Sequence, residues 1–161
     1  MFRRSNGCEL LMKSKTRIVK SPDKAIREIE NINRSMKGSD SVKVGLPKNS
    51  NDYPDGTSVI MVGAVHEFGS PRRGIPQRSY LRSTVQEQRR PYKRLFAKLA
   101  KKIIRGEITK KQALELIGLQ AQTDVRQKIT DLKDPPLVYR EGNPLVDTGH
   151  LRQSIVYKVE E

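Results

Sequence analysis

The chain has 161 residues, a net charge of +14 and an apolar fraction of 35%. Its single cysteine, Cys8, excludes an intrachain disulfide and a cysteine-rich zinc site, and no apolar run reaches the roughly 18 residues of a membrane-spanning helix. The excess of positive charge favours a polyanionic partner, and we expect nucleic acid or an acidic protein surface, not a membrane.

The N-terminal region divides into a basic segment and a helix. Residues 1–20 are predicted to form a mobile basic arm in which Thr16–Lys20 has the composition of a short strand, and residues 21–161 are predicted to form a single α+β domain. The sequence Ser21-Pro22-Asp23 is typical of a helix start, because serine caps, proline suits the first turn and an acid favours the positive helix end. Apolar residues then follow helical spacing: Ala25, Ile26, Ile29, Ile32 and Met36.

After a stop at Gly38, Val42–Leu46 alternates apolar and polar residues and predicts a half-buried strand. A polar loop over 48–56 follows. Residues 57–68 are ambiguous, since their β-branched residues favour a strand, whereas Thr57 as an N-cap and the spacing of the apolar residues favour a buried helix. We favour the helix.

Residues 79–105 predict one long helix of about 40 Å, which Pro91 would bend or divide. The sequence Thr109-Lys110-Lys111-Gln112 is a capping box that starts a second helix, ended by Pro135-Pro136. Because only a short connection separates the two helices, they are predicted to pack as an antiparallel hairpin.

The C-terminal residues predict a loop over 133–144, a single helical turn capped by Asp147 or Thr148, and a final strand over Ile155–Val159. The predicted fold class is therefore α+β. A small antiparallel or mixed sheet packs against the long helical hairpin, and an additional helix precedes them.

Positive charge is concentrated between Arg72 and Lys111, where only Glu87 and Glu107 oppose it. We name this feature the basic ridge. It is suited to contact phosphates without reading bases, or to meet an acidic protein, although a simply solvated helix face has the same pattern. Its members are Arg72, Arg73, Arg82, Arg89, Arg90, Lys93, Arg94, Lys98, Lys101, Lys102 and Arg105.

Two short sequences resemble catalytic motifs but lack essential parts. His66-Glu67 matches the start of the zinc-protease helix, yet the second ligand position holds Ser70, and the other histidine, His150, is distant in sequence. Asp147-Thr148-Gly149 matches the aspartic-protease triplet, but the β-rich body that must follow it is missing. We expect no catalytic residue, metal or cofactor, and no enzyme activity.

Three segments occur in a characteristic order: Val65–Gly69, the turn Ile75–Arg82, and Pro144–Ile155. In this order the chain resembles the virion-morphogenesis or tail-completion proteins of long-tailed bacteriophages, a group that includes head–tail joining and tail-terminator proteins. The resemblance covers about residues 42–160. The motif residues that it assigns to folding and subunit contacts are His66, Glu67, Phe68, Gly69, Pro76, Arg78, Leu81, Asp147, Thr148, Gly149, Leu151, Arg152 and Ser154.

The resemblance implies a structural subunit of the phage neck or tail end, found in the virion after assembly in the host cytoplasm. It implies a homo-oligomeric ring of about six or twelve copies that contacts connector or stopper and tail tube proteins, with genomic DNA passing through the bore. The alternative is a non-enzymatic basic nucleic-acid-binding protein, favoured by the basic ridge alone.

Overall fold

The fold is built on a long central helix. A computed structural model describes residues 22–137, 143–145 and 148–160, so the predicted arm and its strand at Thr16–Lys20 lie outside the described residues. The predicted α+β class is confirmed. In chain order the elements are α1 (Pro22–Met36), β1 (Ser41–Gly45), α2 (Val59–Phe68), a 3₁₀ turn (Pro71–Arg73), α3 (Leu81–Glu87), α4 (Arg89–Ile104), α5 (Lys110–Asp131), α6 (His150–Gln153) and β2 (Val156–Glu160).

The two strands pair antiparallel, with Val42 opposite Val159 and Val44 opposite Tyr157. This face of the sheet packs on α5, where the Tyr157 ring lies directly over Gly118. A Cβ atom at Gly118 would lie 2.4 Å from the ring carbon Cδ2 of Tyr157, so only glycine allows the sheet to approach the helix this closely.

Helix α5 contributes to both apolar clusters of the described residues. Near its start, Ala113 and Ile117 pack with Leu99 of α4, and Val42 covers them. Further along, α5 meets α2, α6 and the segments before α3, in a larger cluster of Val59, Tyr80, Val125, Ile129, Leu145, Leu151 and Ile155. Since burial of each large apolar side chain stabilises the fold by roughly 1.5–3 kcal/mol, these two clusters provide most of its apolar stabilisation.

The capping box at the start of α5 is confirmed. The Thr109 hydroxyl accepts from the Gln112 amide at 3.2 Å, and the Gln112 side chain accepts from the Thr109 amide at 2.9 Å. The predicted antiparallel hairpin is also present, because Tyr92, early in α4, donates its hydroxyl hydrogen to Asp124, late in α5, at 2.9 Å. The helix ends at Asp131, before the predicted stop at Pro135-Pro136.

The helix predicted over 79–105 is present but divided, as Pro91 led us to expect. The chain forms α3 and α4 with a break at Gln88. The break precedes Pro91 by three residues. Proline has no N–H with which to bond the carbonyl of Glu87, so the helical hydrogen-bond ladder is interrupted there and Pro91 lies in the first turn of α4.

Two further predictions concern helix ends and faces. The helical interpretation of 57–68 is confirmed, although the N-cap is Ser58 and not Thr57. The helix after Ser21 is confirmed as α1, but Ile26 and Ile29 on its predicted apolar face are 54% and 65% exposed. No helix of the described part of the chain is both long and apolar enough to cross a bilayer.

Candidate functional site

The site begins with Glu67, whose carboxylate caps α3 from a distance in sequence. Its Oε2 accepts from the amides of Tyr80 and Leu81, both at 2.8 Å, and its Oε1 accepts from the Ser79 hydroxyl at 2.7 Å and the Arg82 amide at 3.1 Å. The N-cap residue itself, Tyr80, provides no side-chain cap. Glu67 therefore satisfies the free amides of the first turn that a helix cannot bond internally.

A guanidinium neutralises this buried carboxylate. The Nε of Arg82 donates to Glu67 Oε1 at 2.9 Å, and the Arg82 guanidinium carbon lies 4.7 Å from the ring centre of Phe68. Burial raises the pKa of Glu67, but hydrogen bonds from Leu81, Arg82 and Ser79 lower it by more, so the net pKa lies below its ordinary value. Glu67 thus stays ionised at neutral pH, in a structural role.

The turn after Phe68 is held by backbone contacts. Gly69 has φ +76°, and a Cβ there would lie 2.9 Å from the amide nitrogen of Gln77. The Arg78 amide donates to the His66 carbonyl at 2.7 Å, and its buried guanidinium donates to the carbonyls of Pro135 and Pro136 at 2.8 and 2.9 Å. Arg78 therefore joins the turn, which includes the exposed Pro76, to the loop after α5.

The segment Pro144–Ile155 contains α6 and the residue at its N-cap position. Gly149, in the left-handed conformation at φ +78°, holds the N-cap position, and the Thr148 hydroxyl accepts from the first helical amide, that of His150, at 3.4 Å. Asp147 lies outside the described residues. Leu151 is buried in the larger cluster.

Two other residues of this motif fix α6 in place. The Arg152 guanidinium donates to the Thr130 hydroxyl of α5 at 3.3 Å, and the Ser154 hydroxyl donates to the His150 carbonyl at 2.9 Å. Both contacts lie within this one chain. Of the side chains assigned to folding and subunit contacts, these two therefore bond within the chain.

The segments Val65–Gly69 and Pro144–Ile155 meet around a cavity of about 290 Å³, and His66 and His150 both line it. His150 Nε2 lies 2.7 Å from the Asn51 carbonyl, with its ring 4.6 Å from that of Tyr53. His66 Nδ1 is buried without a hydrogen-bond partner among the described residues, and burial, aided by the charge of Arg78, lowers the pKa of His66. His66 is therefore neutral at physiological pH.

Within the described ranges, no three residues of the His, Cys, Asp and Glu types lie close enough together to hold an ion. His66 and His150 lie far apart in the sequence, but α2 and α6 place both of them at one cavity. This arrangement could not be read from their separation in the sequence, because the shared cavity forms only when both helices pack on the same core.

The basic ridge is partly used inside the fold. Arg82 pairs with Glu67, and Arg105 lies 3.6 Å from Glu107, while Arg72 and Arg73 lie in the exposed 3₁₀ turn. The other members lie on α4 and have no ion-pair partner in the part of the chain that the structure describes. Six of them are exposed, Arg89, Arg90, Lys93, Arg94, Lys98 and Lys101, and Lys102 is half-buried.

A scan of protein-family models, a search of curated proteins and a search of solved structures each find no match to this chain. The family expectation therefore stays a prediction that depends on the motifs. The sequence did not predict the cap that Glu67 provides. The available signal was an acidic residue within an apolar stretch, because a charged side chain that is buried, as Glu67 is, is almost always paired.

Proposed function

We propose that the chain is a structural subunit of the neck or tail end of a long-tailed bacteriophage, of the tail-completion or head–tail joining type. One observation carries the proposal. The two motif segments meet at one cavity, and their polar side chains are engaged in capping and bracing contacts, Glu67 with α3 and Arg152 with α5. Side chains engaged in this way are suited to hold a shape and not to transfer protons.

The exposed apolar surface supports assembly. Ile26 and Ile29 of α1, Met61 and Phe68 of α2, and Phe96 of α4 are each at least half exposed. Where such side chains form a contiguous patch on the surface, they are suited to be buried against a partner. Copies related by a head-to-tail contact close into a ring, and a ring of about six or twelve copies would leave a bore for genomic DNA.

Purified particles test this proposal. The protein should be found at the junction of head and tail by electron microscopy, and particles made without it should accumulate as separate heads and tails. An Ile29→Ser variant should enter particles less efficiently, while Glu30→Ser, a neighbouring exposed position, should not. Normal joining of heads to tails without the protein would refute the proposal.

The basic ridge favours a second function, non-enzymatic binding of nucleic acid. Six basic side chains of α4 are exposed, and no carboxylate neutralises them in the described ranges. Such a surface contacts phosphates, and its binding weakens steeply with salt because counterions are released. Salt-steep binding of the isolated protein to duplex DNA, without any presence in particles, would favour this function over the first.

A further inference from the structure

An apolar groove of about 710 Å³ lies beside the sheet. Its floor is formed by Ala121 and Val125 of α5, one wall is β1, and the other wall is the junction of α3 and α4, which contributes Val85 and Tyr92. Val85 is 59% exposed. The break at Gln88, between α3 and α4, lies at this wall.

The groove lies along an unpaired strand edge. Within the described ranges β1 pairs only with β2, and no residue of β2 lines the groove, so the groove follows the opposite edge of β1. Val42 and Val44 point into it, whereas Lys43 points to the other face. An edge with free backbone groups beside an apolar floor is the arrangement to which an extended segment adds as a new strand.

The charges around the groove determine which segment fits. Arg82 and Arg89 are its charged lining residues, and Arg89 has no ion-pair partner in the described part of the chain. On the outer face of the sheet Lys43 lies directly opposite Lys158, and Glu160 alone is paired with Lys43, at 2.6 Å. Because like charges opposite one another destabilise a sheet, a strand with carboxylates on this face would relieve the repulsion.

We propose that this groove binds an extended acidic segment of another protein. Its backbone pairs with the free edge of β1, its apolar side chains alternate inward over Ala121 and Val125, and its carboxylates alternate outward on the face of Lys43, while Arg89 on the facing wall adds positive charge at the groove. A second copy of this chain is a less suitable occupant, because each copy carries a net charge of +14. DNA offers no apolar face for the floor. This inference does not depend on the proposed function.

Fluorescence polarisation with a designed probe tests the inference on the full chain. The probe is a fluorescein-labelled peptide of alternating valine and glutamate, about nine residues long, the length of an ordinary strand. It should bind saturably. A peptide of alternating valine and lysine should not bind, and N-methylation of alternate backbone nitrogens, which removes the hydrogen-bond donors, should abolish binding of the glutamate peptide.

Two charge reversals on the same exposed helix separate a local contact from general attraction. Arg89→Glu, at the groove, should weaken binding about tenfold, whereas Arg94→Glu, outside it, should change binding less than about threefold. Both variants have the same net charge, and circular dichroism checks that both fold.

Three results would overturn the inference. The first is no saturable binding of the glutamate peptide. The second is equal weakening by Arg89→Glu and Arg94→Glu, which would mean diffuse electrostatics. The third is self-association that is lost in Arg89→Glu but kept in Arg94→Glu, measured by sedimentation, which would make the occupant a second copy.

Discussion

Removal of the Glu67 carboxylate is the perturbation with the most definite expected cost. In Glu67→Ala, the amides of Tyr80, Leu81 and Arg82 and the Ser79 hydroxyl lose their acceptor, and Tyr80 is only 1% exposed. A buried hydrogen bond to a charged group is worth roughly 1.5–3 kcal/mol, but such bonds are not additive. The Arg82 side chain is 57% exposed and can be solvated once Glu67 is removed, so the cost of Glu67→Ala comes from the unpaired amides, and we expect about 3 kcal/mol.

Glu67→Gln refines the expectation. The amide keeps one acceptor oxygen, but its NH₂ group cannot accept from the N–H donors that faced the other carboxylate oxygen. We therefore expect the free energy of unfolding to fall by about 2–3 kcal/mol. Glu87→Gln is the matched control. It breaks the ion pair with Lys128, whose Nζ lies 2.6 Å from Glu87 Oε1, but the Glu87 side chain is 55% exposed and the expected cost is below about 1 kcal/mol.

The measurement is equilibrium unfolding in urea, with the free energy of unfolding obtained by linear extrapolation. Far-UV circular dichroism should show native helix content in both Glu67 variants before denaturant is added. A cost for Glu67→Ala no larger than that of Glu87→Gln would refute the reasoning, because it would mean that water replaces the carboxylate at the start of α3.

The other predictions concern pH, close packing and the basic ridge. The folded-state pKa of Glu67 lies below its ordinary value of 4.5, so its contribution to stability is complete above that pH and is lost as the pH falls through the folded-state pKa. The free energy of unfolding, measured in urea, should therefore fall less steeply with decreasing pH in Glu67→Gln than in the wild type. Gly118→Ala should destabilise the fold by about 1–3 kcal/mol in urea unfolding, and Tyr157→Ala in the same chain should remove this extra cost, in contrast to two independent, additive losses. If the ridge binds duplex DNA, Lys93→Ser with Lys101→Ser should reduce the slope of log affinity against log salt by about 2, and an unchanged slope would exclude these two lysines from phosphate contact.

Features that depend on neighbouring residues in the sequence were predictable. The capping box at Thr109 and Gln112 locates the start of α5 because both of its hydrogen bonds span three residues. The alternation at Val42–Leu46 predicted β1, since side-chain direction in a strand has a period of two. The existence of α1 and of the hairpin followed in the same way.

Features that depend on contacts between distant residues were not predictable. The face of α1 is an example, since helical spacing locates an apolar stripe but does not say what covers Ile26 and Ile29. The helix break is the opposite case. It falls at Gln88 because the carbonyl that loses its partner lies one turn before Pro91, so neighbouring residues account for it.

By itself, the sequence determined the elements, their order and the basic character of α4, because propensity, capping and charge are properties of a few adjacent residues. Only the tertiary structure decided that Glu67 caps α3, that His66 and His150 share a cavity, and that an apolar groove follows the free edge of β1. The physical reason is that α5 serves as a common support. Segments far apart in the chain become neighbours only when each of them buries its apolar side chains against that helix.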